Sequence, residues 1–77
     1  MDPNIKKSIK AAINGSPRNA YVVELHAQIL KCSARLQNIN GKEFCAALEI
    51  QPSYGTEFSK MMKLAQRLEN ALDTDKI

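Results

Sequence analysis

The chain has 77 residues and a net charge of +3, with 44% apolar and 25% charged residues. This length accommodates a single domain, and the composition is typical of a folded globular protein and not of a disordered one. With no Trp, two Tyr, two Phe, three Gly and three Pro, the sequence predicts an aliphatic core and disfavours a β-protein, whose hairpins need turn residues. No apolar run approaches the ~20 residues of a membrane span. We therefore expect a cytoplasmic protein without membrane contacts.

The charges are unevenly distributed along the chain. Residues 1–40 hold six basic and two acidic residues, whereas residues 41–77 hold five basic and six acidic ones. A mild basic surplus is compatible with nucleic-acid binding but does not by itself indicate it. The two cysteines, Cys32 and Cys45, are too few for a disulfide framework, and we predict that both are small buried side chains.

The first predicted helix spans residues 3–14. Asp2 is a suitable N-cap, Pro3 suits the first helical position, and Gly15 suits the position just after the end. The apolar residues recur at the spacing of one buried face, and they are Ile5, Ile9, Ala12 and Ile13.

The second predicted helix spans residues 17–38 and begins after Ser16 as its cap. Its apolar residues alternate three and four apart in a heptad-like stripe, which comprises Val22, Leu25, Ile29, Cys32, Leu36 and Ile39. Two interpretations are open. The stripe packs into the chain's own core, or its first five residues form the interface with a second copy or another protein. For residues 21–23 alone the sequence also allows a β-strand, because β-branched residues cluster there.

The third predicted helix spans residues 41–48, where Asn40 and Glu43 form a capping-box pattern. Pro52 disfavours helical geometry at the residue before it and so separates this helix from the next. The fourth predicted helix spans residues 54–72, with Ser53 favoured over Thr56 as its N-cap. The tail, 73–77, has no apolar pattern and is expected to be frayed. The sequence thus predicts an all-α fold, a single-domain bundle of about four helices.

Residues 41–68 form the outline of a helix-turn-helix, a short helix followed by a turn and a longer helix. In such units the second helix inserts its N-terminal half into the major groove of DNA. On a helical wheel Lys60, Lys63 and Arg67 lie within about 40° of Thr56, opposite the apolar face. The alternative is an ordinary solvated face, on which Glu57 pairs with Lys60 one turn away.

The candidate DNA contacts follow from this outline. Basic side chains would meet phosphates, and polar side chains near the start of the fourth helix would meet base edges or phosphates. The candidates are Lys42, Lys60, Lys63 and Arg67 for the first group, and Gln51, Ser53, Tyr54, Thr56 and Glu57 for the second.

The stretches Gly41–Cys45 and Pro52–Phe58 carry a family resemblance. Over residues 41–62 the sequence resembles small bacterial proteins described as having an HTH-like domain. The resemblance implies a DNA-binding or regulatory role. General helix-turn-helix sequences have Gly where Glu49 stands, for a positive φ, and a β-branched residue or Leu where Gly55 stands. These two departures predict a variant turn.

We find no pattern that indicates a catalytic centre, a metal site or a cofactor, and we do not expect an enzyme. His26 is the only histidine. It has no acidic or Cys residue three or four positions away, so we expect a partly exposed side chain without a metal or nucleophile partner. The favoured hypothesis is a bacterial or phage transcriptional regulator or accessory factor that binds double-stranded DNA as a homodimer. The alternative is a protein-interaction module, antitoxin-like or an accessory subunit, that uses the apolar stripe of the second helix.

Overall fold

The computed structural model describes residues 1–75, with side chains described for residues 1–70. Within this range the chain forms four α-helices and three short 3₁₀ turns, without a β-strand. The helices are α1 (Pro3–Asn14), α2 (Tyr21–Cys32), α3 (Gly41–Leu48) and α4 (Gly55–Asp75), and the 3₁₀ turns are Arg18–Ala20, Ser33–Arg35 and Pro52–Tyr54. The predicted all-α bundle is confirmed, and the strand interpretation of residues 21–23 is wrong. In the described part of the chain, no helix combines the length and the hydropathy that a bilayer crossing requires.

One aliphatic core with two phenylalanines connects the helices. Its buried residues are Ile5, Ile9, Ile13, Leu25, Ile29, Leu36, Phe44, Cys45, Leu48 and Phe58. Helix α2 packs against both α1 and α4, and α3 packs against α4 and α1. The predicted inner face of α1 is confirmed at its three isoleucines. Of the two cysteines predicted to be buried, Cys45 is buried and Cys32 is half-buried.

Helix α1 has the predicted bounds. The Asp2 carboxylate accepts a hydrogen bond from the Asn4 amide at 2.7 Å, and Pro3 occupies the first turn. Ser16 does not cap the second helix as predicted. Its hydroxyl instead donates to the carbonyl oxygen of Ile13 at 2.7 Å, so it satisfies a carbonyl group that the end of α1 leaves without a helical partner.

Helix α2 is shorter than predicted, because 3₁₀ turns replace both ends of the predicted range 17–38. After Cys32 the chain tightens into the turn Ser33–Arg35, and the Gln37 side-chain amide donates to the Ser33 carbonyl at 3.1 Å. A 3₁₀ turn brings residues i and i+3 onto the same side, and Leu36, which follows the turn, is still buried in the core. The stripe therefore predicts which side chains face inward but not where the α-helix ends.

The start of α3 is as predicted. The Asn40 side chain accepts from the Glu43 amide at 2.8 Å, and the Glu43 carboxylate accepts from the Asn40 amide at 3.1 Å. Together these bonds complete the capping box.

Helix α4 follows directly from the 3₁₀ turn Pro52–Tyr54. Ser53 lies inside this turn and is not the N-cap that we predicted, because Pro52 starts the turn after Gln51, whose backbone is extended (φ −60°, ψ 137°). The helix continues to Asp75, three residues beyond its predicted end. Residues 73–75 of the predicted frayed tail are thus helical, and residues 76–77 lie outside the described residues.

Candidate nucleic-acid interface

The turn between α3 and α4 is a Schellman motif centred on Glu49. This residue has φ 59° and ψ 40°, in the left-handed region. The Ile50 amide donates to the Cys45 carbonyl at 3.0 Å, and the Glu49 amide donates to the Ala46 carbonyl at 3.3 Å. This is the hydrogen-bond pattern that helices ending in glycine commonly show. The predicted variant turn is wrong in its geometry, since Glu49 adopts the positive φ for which helix-turn-helix sequences generally use glycine.

The Glu49 side chain binds Lys10 of α1. Nζ of Lys10 lies 3.0 Å from Oε1 of Glu49. The hydrogen bond from Lys10, followed by the positive charges of Lys10 and Lys6, lowers the pKa of the Glu49 carboxyl. This contact ties the turn to the first helix.

The first residues of α3 and α4 touch through their backbones. A Cβ atom added to Gly41 would lie 2.6 Å from the carbonyl oxygen of Gly55 and 2.9 Å from its Cα. The reverse substitution is less crowded, because a Cβ on Gly55 would lie 3.4 Å from the nearest Gly41 atom. The close backbone approach of the two helix starts thus requires glycine at Gly41, whereas Gly55 leaves room for a small side chain.

Two further contacts hold α4 and the 3₁₀ turn that precedes it against α3. The rings of Phe44 and Phe58 lie 4.5 Å apart between centroids, with a 31° angle between their planes. The Cys45 thiol donates to the carbonyl oxygen of Pro52 at 3.9 Å. Burial raises the pKa of this thiol, so it remains a protonated donor. The pair of helices is therefore held by backbone, aromatic and thiol contacts at one end of α4.

Most predicted DNA contacts lie at the surface. Exposed side chains from the predicted set are Lys42, Gln51, Ser53, Thr56, Lys60, Lys63 and Arg67. Tyr54 is half-buried, and its ring lies 5.6 Å from that of Tyr21. Burial raises the pKa of Tyr21, and the neighbouring Tyr54 and Cys45 raise it further. Tyr54 therefore packs against α2, so that much of its ring is not available to a ligand on the open face of α4.

Glu57 faces α2 and not the basic stripe. Its Oε2 lies 2.8 Å from Nε2 of His26, and each side chain is 29% exposed. Glu57 does not pair with Lys60, as the alternative interpretation of the basic stripe has it, and His26 is partly exposed as expected, with Glu57 of another helix as its partner. Because the two residues are 31 positions apart, only the packing of α2 on α4 brings them together. The feature of the sequence that could have indicated this contact is the position of Glu57 beside the apolar face of α4.

The three cations of α4 are not neutralised within the described part of the chain. There, no ion pair involves Lys60, Lys63 or Arg67. All three are exposed on the face of α4 that carries Thr56. The basic stripe predicted from the sequence is thus exposed at the surface of the folded chain. It lies on α4, the longer helix that follows the turn.

The sequence profile of a family described as an HTH-like domain matches residues 1–71. The chain belongs to this family. No curated protein and no solved structure is detectably similar to the chain. The match takes in α1 and α2 as well as residues 41–62, so the HTH-like domain includes the two helices that support α3 and α4.

Within the HTH-like domain the apolar stripe of α2 is largely internal. Leu25, Ile29 and Leu36 are at most 1% exposed, and Cys32 is half-buried. Val22 is 41% exposed. The stripe therefore packs into the chain's own core, and a partner would reach only Val22 and part of Cys32 without opening that core.

Proposed function

We propose that this HTH-like domain binds double-stranded DNA, with α4 in the major groove. The observation that carries the proposal is the basic stripe of α4, in which Lys60, Lys63 and Arg67 are exposed and have no acidic partner among the described side chains. Three cations on one helical face can meet successive phosphates along a groove. Arg67 is the cation whose planar guanidinium can bind a phosphate with two hydrogen bonds.

The exposed polar residues agree with this orientation. Gln51, Ser53 and Thr56 are exposed around the start of α4, which is the end of the second helix that reaches base edges in helix-turn-helix proteins. Lys42 is exposed in the first turn of α3, where it would meet the phosphate backbone at the side of the groove. In this arrangement the lysines and the arginine supply affinity, and the polar residues supply sequence preference.

The biological role that fits is a bacterial or phage transcriptional regulator or accessory factor. Such a protein acts by occupying DNA and needs neither a catalytic residue nor a cofactor. Membership of the HTH-like domain family supports this role.

The test is fluorescence anisotropy with random duplex DNA over a series of salt concentrations. We compare the wild type with the variant Lys60→Ala/Lys63→Ala. Each lost phosphate contact flattens the slope of log K against log salt by about 0.9, so the double variant should lose about two slope units. Both lysines are exposed, so the fold should be unaffected.

The matched control is Lys7→Ala/Lys31→Ala. It removes the same charge from two exposed lysines on α1 and α2, and it should change the slope much less. Equal slopes for the two double variants would show that net charge alone drives binding. Absence of binding at low salt would refute the proposal.

A second candidate function, association with another helix, is favoured by one observation. Leu64 and Leu68 of α4 are 38% and 49% exposed. With the half-buried Met61 they follow the three-and-four spacing of a helix-pairing seam. The homodimer expected from the sequence would then form through α4 and not through the stripe of α2.

A further inference from the structure

An open cavity of about 620 Å³ lies beside the turn of the helix-turn-helix unit. Three parts of the chain line it, namely the last residues of α1, the segment from Arg18 to Val22, and the connection from Leu48 to Tyr54. Volumes between about 300 and 1,000 Å³ are typical of sites for small molecules. Nothing in the proposed DNA contact requires a cavity at this place.

The interior of the cavity is apolar and aromatic. Ile13 and Leu48 are buried, while Ile50 and the two tyrosines, Tyr21 and Tyr54, are half-buried. The tyrosine rings lie 5.6 Å apart at a 45° angle. Such a pair can pack against a third aromatic ring in a tilted or offset arrangement. The apolar and aromatic side chains therefore offer a face to a flat ring system, beside the polar groups of the rim.

The rim adds one uncompensated positive charge. Lys10 is bound to Glu49 at 3.0 Å, so its charge is already neutralised. Arg18 is exposed and forms no hydrogen bond or ion pair with any described residue. Its guanidinium can bind a carboxylate or sulfonate with two parallel hydrogen bonds. Asn14 and Gln51 supply neutral polar groups at the same rim.

We propose that this cavity binds a small aromatic anion, with its ring system against Tyr21 and Tyr54 and its acidic group on Arg18. Ile50, Gln51 and Tyr54 belong both to the cavity and to the segment that leads into α4. A bound anion would add negative charge beside Gln51 and would repel DNA phosphates. The ligand would thus weaken DNA binding, a consequence that rests on the proposed function, whereas ligand binding itself does not.

The probe for the test is 8-anilinonaphthalene-1-sulfonate, a fluorescent aromatic anion. We expect saturable binding to the folded protein, with amide shifts in ¹H–¹⁵N spectra confined to residues 13–22 and 48–54. Arg18→Gln should weaken the affinity about tenfold, as expected for a lost hydrogen bond to a charged group. The neutral analogue N-phenyl-1-naphthylamine should bind the wild type more weakly by a similar factor and should not respond to Arg18→Gln.

The control variant is Lys31→Gln, which removes an exposed cation that lines a different groove. It should leave the affinity for the anilinonaphthalene sulfonate unchanged. Shifts outside the cavity, or equal effects of the two variants, would overturn the proposal.

Duplex DNA provides the last comparison. If DNA shifts the amides of residues 13–22 and Arg18→Gln flattens the salt slope by about 0.9, the cavity is a phosphate-backbone contact and the proposal is wrong. If the protein binds the sulfonate but no DNA, the ligand site stands while the proposed function fails. Binding of both, with DNA affinity weakened in the wild type but less so in Arg18→Gln at a sulfonate concentration that saturates only the wild type, supports both.

Discussion

Gly41 and Gly55 face each other, but they should respond very differently to a single added methyl group. The Cβ of Gly41→Ala would lie 2.6 Å from a backbone oxygen, which cannot move aside as a flexible side chain can. We expect this substitution to lower the free energy of unfolding by about 1–3 kcal/mol, the usual cost of overpacking. The measurement is urea unfolding followed by circular dichroism.

Gly55→Ala is the natural control, since its Cβ would make only ordinary contacts at 3.4–3.6 Å. Alanine also favours the helix by up to about 1 kcal/mol over glycine. The variant should therefore be as stable as the wild type or slightly more stable. Similar losses in both variants would contradict the asymmetric contact between the two helix starts.

Glu49 holds a backbone conformation that glycine adopts at no steric cost, with φ 59°. Glu49→Ala and Glu49→Gly both lose the ion pair with Lys10 but differ in their tolerance of positive φ. The Gly variant should have the higher melting temperature, by about 4–8 °C in a domain of this size. Equal melting temperatures would show that the turn relaxes away from the left-handed region.

The ion pair of Glu49 with Lys10 also predicts that the stability of the fold depends on pH. Because Lys10 lowers the pKa of Glu49 in the folded protein, the carboxylate contributes stability above its ordinary pKa and loses it as the pH falls through the lowered value. The melting temperature of the wild type should exceed that of Glu49→Gln near neutral pH. The difference should shrink in acid, and also at high salt, since the pair is exposed. A difference independent of pH would contradict this assignment.

At the scale of elements, the His26–Glu57 contact between α2 and α4 has two effects. It contributes at most about 1 kcal/mol to stability, because both side chains are partly exposed. It also holds a carboxylate away from the basic stripe. His26→Ala should therefore weaken DNA binding, since it leaves no donor at this position and Glu57 becomes free to approach Lys60.

The double variant His26→Ala/Glu57→Gln separates these two effects. It removes the carboxylate itself and should restore DNA affinity to the wild-type value or above it, without restoring stability. Affinity that stays low in the double variant would indicate that the contact positions α4 and does not control its charge.

The helices differ in how far the sequence predicts them. The bounds of α1 and α3 follow from local signals, because Asp2, Pro3 and the Asn40–Glu43 capping box act within a single turn. The ends of α2 have no comparable signal, and no side chain caps its start at Tyr21. Local signals thus predict the bounds of α1 and α3, whereas α2 begins without a side-chain cap and its bounds are not predicted.

The features of the candidate site also differ in how far the sequence predicts them. The exposure of the basic stripe follows from helical periodicity alone, since Lys60 and Arg67 lie opposite the apolar face. The partner of Glu57 and the contact between Gly41 and Gly55 depend on tertiary packing. The spacing of residues within one helix does not indicate which residues of another helix they contact.

At the scale of the whole molecule, the core contains ten buried hydrophobic residues among the side chains that the structure describes, and small domains of this kind gain stability by association. If α4 forms the dimer, sedimentation equilibrium should show a concentration-dependent dimer for the wild type. Leu64→Glu/Leu68→Glu should be monomeric and should remain folded, because both side chains are partly exposed.

The control for this experiment is Val22→Glu/Val23→Glu. These valines are 41% and 68% exposed at the start of α2, and their replacement should leave the dimer intact. Loss of the dimer in the valine variant alone would place the interface on α2 instead. A monomeric wild type at all concentrations would exclude a homodimer through either helix.

The continuity of α4 from Gly55 to Asp75 sets a length scale for the proposed recognition of DNA. At 1.5 Å per residue, Leu68 lies about 18 Å along the axis from Thr56. Two copies paired antiparallel around Leu68 would hold their groove-facing ends about 36 Å apart. This is close to the ~34–36 Å that separates successive major-groove faces of B-DNA. The length of α4 would then set the distance between the two half-sites on DNA. The preferred operator would be a palindrome with half-sites about one helical turn apart.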